Sequence, residues 1–238
     1  MVHDERYIRV RNMGIAYNSN IVTSGLVLCL DAGNPRSYVG TGTSWRDAGG
    51  NYVPSTLVNG PTYTSSSPGF FTFDGVDDYG TLQNTTLGNG NLAWTCSAWV
   101  RTTTAVNSLG LGSVLSNASG GPVYSMMGVN NGKIVYWTYQ NSAWAQKLGV
   151  ATVNDNIWHM LTWVNYANNT MDMYVDGALD SNVANSTSGN NNPIDRLGGS
   201  WSGSFSGAIS QILIYQSVSL SAAQVLQNYN AARGRYGR

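Results

Sequence analysis

Apolar and polar residues alternate with a period of two through most of the chain from Gly25 onward, the repeat of pleated strands rather than of helix. The pattern is clearest between Ile157 and Leu179. Ile157–Asn165 sets Trp158, Met160, Thr162 and Val164 against His159, Leu161 and Trp163, and Met171–Val175 sets Met171, Met173 and Val175 against Asp172 and Tyr174. Asn168-Asn169 between the runs and Asp176-Gly177 after the second tolerate left-handed turn geometry. This predicts two antiparallel strands whose large side chains are covered on both faces, as in the middle of a sandwich.

The same alternation predicts strands over Gly25–Asp31, Thr62–Ser65, Phe70–Phe73, Tyr79–Leu82, Ala93–Arg101, Leu111–Ser116, Val123–Val129, Lys133–Tyr139, Ala143–Val150, Ala178–Val183, Arg196–Trp201 and Phe205–Tyr215. Asn130-Asn131-Gly132 and Gln140-Asn141-Ser142 read as hairpin turns. Residues 32–60, dense in Gly, Pro, Ser, Asn and Asp, predict a long loop with one short helical turn near Trp45. Asn185–Pro193 reads as a polar loop. Helical grammar enters only at the end, where Ser221 and Gln224 form a capping box, Val225, Leu226 and Tyr229 share a face, and Gly234 stands past the last turn. The expected architecture is all-β: two antiparallel sheets with one C-terminal helix. No interior linker or repeat divides it, so residues 25–238 read as one domain. Residues 1–24 precede it, either as an extra edge strand or as an arm that docks on a partner subunit.

Composition narrows the function classes. Only 10% of the 238 residues are charged, the formal net charge is zero, and the lysines are Lys133 and Lys147 alone. No basic stripe exists for nucleic acid. No run of 18 apolar residues exists to span a membrane. The opening MVHDERYIRVRNMG lacks the apolar centre of a secretory signal. Cys29 and Cys96 both fall inside apolar strand patterns and read as buried thiols, with a disulfide as the alternative.

Several ordered motifs resemble the laminin-G-like branch of the concanavalin A-like lectin/glucanase superfamily. They are GLVLCLDAGNPRSY (25–38), FTFDGVDDYGTL (71–82), WTCSAWV (94–100), the Trp158-His159 strand start, MDMYVDG (171–177), FSGAISQILIY (205–215) and LSAAQVLQNYNAARGRYG (220–237). The resemblance implies a jelly-roll sandwich of two curved sheets. The opening NIVTSGLVLCLDAGNP and the closing LQNYNAARGRYG resemble versions found in structural proteins of tailed bacteriophages. That further likeness implies a non-enzymatic virion protein, on a capsid or tail, with other virion proteins as partners, homo-oligomerisation, and host-surface glycans as a ligand; the alternatives are a free carbohydrate-binding module and, behind it, a glycoside hydrolase.

Glycoside hydrolysis needs two carboxyl groups in register across a sugar. The resembling glucanases carry a Glu-x-Asp-x-x-Glu strand, whereas the sole glutamate here is Glu5. Asp172 and Asp176 lie four strand positions apart, about 13 Å. The histidines are His3 and His159, and the latter reads as a structural, hydrogen-bonded residue. The chain is therefore expected to be no enzyme. For calcium, Asp74, Asp77 and Asp78 are the candidate ligands, with Asp31 or Asp47 as further donors; the alternative is that they shape a turn and cap its amides. For glycans, Trp45, Trp144, Trp201, Tyr139 and Asn141 sit in or beside polar loops and offer platforms and hydrogen bonds, or else pack. Trp94, Trp99, Trp158 and Trp163 fit strand alternation and are expected to pack.

Overall fold

A computed structural model of the chain describes residues 18, 20–50, 53–87, 92–104, 112–117, 124–140, 143–168, 170–184, 192–199 and 203–238. In chain order the strands are β1 (Leu26–Asp31), β2 (Ser44–Trp45), β3 (Ser55–Val58), β4 (Thr62–Thr64), β5 (Phe70–Asp74), β6 (Tyr79–Leu87), β7 (Trp94–Arg101) and β8 (Gly112–Ser116). There follow β9 (Tyr124–Asn130), β10 (Lys133–Gln140), β11 (Ala143–Leu148), β12 (His159–Asn165), β13 (Thr170–Val175), β14 (Ala178–Ala184), β15 (Asn192–Leu197) and β16 (Ser206–Gln216). Helix α1 (Ala222–Ala232) runs into a 3-10 turn, Arg233–Tyr236.

These strands make two antiparallel sheets. Sheet A runs β14-β13-β12-β7-β16-β5-β4, with β1 also paired to β16. Sheet B runs β11-β10-β9-β8-β15-β6-β3-β2. Alternation along β7 shows how the sheets face. Trp94, Cys96, Ala98 and Val100 join the core between the sheets, with Phe71, Phe73, Trp163 and Ile212. Trp99 points the other way, into a second cluster with Cys29, Trp158, Met160, Tyr174, Tyr215, Val225 and Tyr236. Helix α1 and the 3-10 turn cover that outer face of sheet A, so β12 is buried along its whole length. Cys29 and Cys96, both free, belong to different clusters on opposite faces of the sheet.

Turn chemistry follows the residues. Asn131 and Gly132 at φ 50° and 68°, and Asp176 and Gly177 at 53° and 79°, are the consecutive positive-φ pairs of type I′ hairpins. Ser221 and Gln224 form the capping box of α1. Gly234 does not end the helix: the chain tightens into the 3-10 turn, and Gly237, at φ 70°, is the left-handed terminator.

Residues 32–60 depart from the expected loop. They contain β2, the edge strand of sheet B, and β3, which pairs it to β6. With two and four residues these are too short to establish a period of two, and no helical turn forms near Trp45. The described end of the expected arm lies against its own helix. Val22 N–H donates to Asn228 Oδ1 at 2.8 Å, Tyr215 OH donates to the Val22 carbonyl at 2.9 Å, and Asn18 Nδ2 donates to the Ala231 carbonyl at 2.6 Å. Residues 1–17 lie outside the described residues. No helix among the described residues is long and apolar enough to cross a membrane.

Candidate functional site

Strand pairing draws one row of residues across all eight strands of sheet B. The Cα partners are Ser44 with Thr56, Thr56 with Thr81, Thr81 with Arg196, Arg196 with Ser116, Ser116 with Met126, Met126 with Trp137, and Trp137 with Gln146. Their chain neighbours Trp45, Leu57, Leu82, Leu197, Leu115, Met127 and Tyr136 point into the core between the sheets. The row therefore occupies the opposite, outer face.

The half of the row nearer β2 is accessible. Ser44, Thr81 and Arg196 are half-buried and Thr56 is exposed, over about 14 Å at the usual spacing of strands. Tyr79 lies two residues from Thr81 on the same face of β6, and the Arg196 guanidinium carbon sits 4.2 Å from its ring centroid. Gly199 packs beside Tyr79, where a Cβ would come within 3.0 Å of the Tyr79 Cβ. Thr81 Oγ1 accepts the Thr56 N–H at 3.2 Å, which leaves the threonine proton for another acceptor. Beyond Arg196 the row closes down: Ser116 donates to the Gly199 carbonyl at 2.7 Å, and Met126 and Trp137 are buried with Val135 in a small cluster. Hydroxyls, an aromatic ring and a guanidinium thus share one accessible strip.

The Asp74, Asp77 and Asp78 turn leads directly into Tyr79. Their ligand oxygens lie within 4.8 Å of one another, so each could offer one oxygen to a cation. Two of the carboxylates already serve the turn. Asp74 Oδ1 accepts the Val76 N–H at 2.8 Å and the Asp77 N–H at 3.4 Å, and Asp78 Oδ2 accepts the Asp74 N–H at 3.1 Å. Hydrogen bonds from Val76, and then from Asp77 and Asp78, hold the Asp74 carboxyl below its ordinary pKa, whereas burial pushes Asp78 up. Neither Asp31 nor Asp47 joins them. Asp31 pairs with Gln211, five residues along β16 from Ser206, the partner of Asp74, a separation of about 17 Å. Asp47 accepts the Cys29 N–H at 2.9 Å.

The other sequence candidates are scattered. Trp45, expected as a platform in a polar loop, is fully buried, with its ring 4.8 Å from Phe71. Its place in β2, with Ser44 turned outward, aims it into the core. Tyr139 and Trp144 are direct cross-strand partners on β10 and β11, which the structure brings together. Asn141 and Trp201 lie outside the described residues. Trp94, Trp99, Trp158 and Trp163 are buried as the alternation predicts. Sequence reasoning missed Tyr79, Thr81 and Arg196, since only the pairing of β6 with β15 makes them neighbours.

Two further carboxylate groupings lie away from the row. His159 is buried between Asp176, 2.9 Å from Nδ1, and Asp155, 3.1 Å from Nε2. Burial draws the imidazole pKa down, but hydrogen bonds and charge from Asp176 and then Asp155 outweigh it and leave it raised. Asp172 accepts hydrogen bonds from the Tyr166 and Tyr174 hydroxyls and from the Asn182 amide, at 2.8, 3.2 and 2.5 Å.

A family model described as concanavalin A-like lectin/glucanases superfamily matches residues 74–226, well over half of the chain. A search of curated proteins returns no match. Among solved structures, domain 4 of AbnA, a GH43 extracellular arabinanase from Geobacillus stearothermophilus solved with arabinotriose, superposes with a TM-score of 0.67 at 17% identity, over 87% of this chain and 100% of that one. The binding domain of Paraclostridial Mosquitocidal Protein 1 gives 0.63 at 15% identity, over 87% of this chain and 52% of that one. Trypanosoma rangeli sialidase, solved with the inhibitor DANA, gives 0.61 at 15% identity, over 88% of this chain but 33% of that one. The arabinanase domain is thus matched over its whole length, whereas the chain spans about half of the toxin domain and a third of the sialidase. These likenesses concern the fold, and with the family match they have one conclusion: the chain belongs to the concanavalin A-like lectin/glucanases superfamily.

Proposed function

We propose that this protein is a non-enzymatic glycan-recognition domain. The observation that carries the reading is the accessible strip of sheet B, where Ser44, Thr56 and Thr81 present hydroxyls beside the Tyr79–Arg196 stack. Saccharides are bound by such sets, in which hydroxyls and charged groups fix orientation and an aromatic face takes apolar C–H surface. The arabinotriose in the arabinanase domain is in keeping with this ligand class.

A binding role without hydrolysis is supported by the state of five of the described carboxylates. Asp74 and Asp78 cap a turn, Asp155 and Asp176 flank a buried histidine, and Asp172 is occupied by two phenols and an amide. None is a free pair facing across a sugar.

We further propose display on a tailed-phage particle, through the resemblance of the two end motifs. These motifs meet in the fold, since Val22 and Asn228 are hydrogen-bonded and Asp31 is held by Arg235.

A glycan array probed with the whole chain tests the binding half, followed by calorimetry on any hit with Tyr79→Ala and Thr81→Val. Loss of binding in both variants is expected, with unchanged thermal midpoints. A folded chain that binds no glycan, or binds it equally well in both variants, refutes the site. Mass spectrometry of density-purified particles tests the other half: absence of the protein from particles rejects the virion role.

A further inference from the structure

We infer that the glycan is acidic and that Arg196 reads a carboxylate on it. The inference rests on the glycan reading above and specifies its ligand. Of the eight residues in the row, Arg196 is the one that bears a charge. It is half-buried and held over the Tyr79 ring, and among the described residues no carboxylate lies within ion-pair distance of it. In the turn that precedes Tyr79, Asp74 and Asp78 accept backbone amides of that turn.

Among the described residues, this guanidinium has N–H donors to give and no acid within reach to take them. Its planar fork matches a carboxylate through two parallel hydrogen bonds, a geometry a lysine ammonium does not offer. Stacking on Tyr79 fixes the side chain before a ligand arrives, which lowers the entropy lost on binding. The Thr81 hydroxyl, with its proton unspent, stands on the adjacent strand to meet a further oxygen of the same sugar. A neutral sugar offers the guanidinium only uncharged hydroxyl acceptors, which bond it more weakly than a carboxylate, so the site favours the acid.

Calorimetry at low salt on the whole chain, with matched probes, tests this. Trigalacturonate is compared with galactotriose, and 3′-sialyllactose with lactose. One acidic probe is expected to bind about tenfold or more tighter than its neutral match, the scale of a charge-assisted hydrogen bond. Arg196→Gln should abolish the difference, Arg196→Lys should restore only part of it, and added salt should shrink it. Equal affinity for acidic and neutral probes, or an acid preference that survives Arg196→Gln, overturns the inference while leaving glycan binding intact. A sulfated probe bound in preference to both carboxylates overturns the carboxylate assignment. If the folded wild-type chain binds no sugar at all, the glycan reading fails and the inference falls with it.

Discussion

Asp31 and Arg235, 204 positions apart in the chain, are joined by two parallel hydrogen bonds of 2.8 Å, from Nη1 to Oδ2 and from Nη2 to Oδ1. The pair ties β1 to the 3-10 turn. Arg235 also donates to the Ser210 and Tyr236 hydroxyls, and Tyr236 stacks on Trp99 with ring centroids 3.9 Å apart. The Asp31 side chain is 11% exposed and the Arg235 side chain 31%. Removing one partner strands the other in a largely dry site. Discounted for the exposure of the arginine, Arg235→Ala should cost about 2–3 kcal/mol in urea unfolding. It should also weaken the near-ultraviolet signal of Trp99. A cost no larger than that of an exposed pair would show that the clasp does not secure the turn.

His159 makes stability depend on pH in a definite direction. Its folded pKa is raised, so its contribution is fully present below the unfolded value of about 6.5 and is lost as pH rises through the folded pKa. The groups that face it are Asp176, Asp155 and, through Asp176, Arg238. Two carboxylates accept from both ring nitrogens only when the ring is an imidazolium. The stability gap between wild type and His159→Gln should be wider at pH 5.5 than at pH 8.5. A gap that is flat or opens in the alkaline direction would contradict the arrangement.

Trp45→Ala separates packing from binding. With its side chain fully buried against Phe71, truncation should cost about 3–5 kcal/mol. Trp45→Phe should preserve most of the stability and all of any glycan affinity. A stable Trp45→Ala variant that loses only sugar binding would restore the platform reading.

Calcium gives a fourth test. If Asp74, Asp77 and Asp78 act as turn caps, the thermal midpoint should be the same in EDTA and in excess calcium. Asp74→Ala should lower it by the same amount in both. A midpoint that rises with calcium, and no longer does so in Asp74→Ala, would identify a metal site instead.

The strands and the terminal capping box were legible because each depends on local spacing: β7 and β12 alternate over seven or eight residues, and Ser221 and Gln224 stand three apart. What escaped was everything set by register. Thr56, Thr81 and Arg196 lie in three distant parts of the chain, and no local pattern marks which strand will neighbour which. Local pattern leaves Trp45 open between platform and packing for a related reason. Among Gly, Ser and Asn a tryptophan looks exposed, but a two-residue edge strand suffices to turn it inward. Tyr139 and Trp144, by contrast, become cross-strand partners through a hairpin that the Gln140-Asn141-Ser142 spacing does mark.

The placement of Asn18 beside Ala231, on the helix-covered side of sheet A, has a consequence for assembly. The Tyr79–Arg196 strip lies on the far side, across the full thickness of the sandwich. Anything joined through the C-terminal turn would hold the domain by its back, as by a handle, and leave its front unobstructed. Copies fixed to a common support in this way would all turn the same side outward. A front that grips each sugar only weakly could then hold a sugar-coated surface firmly through many simultaneous contacts.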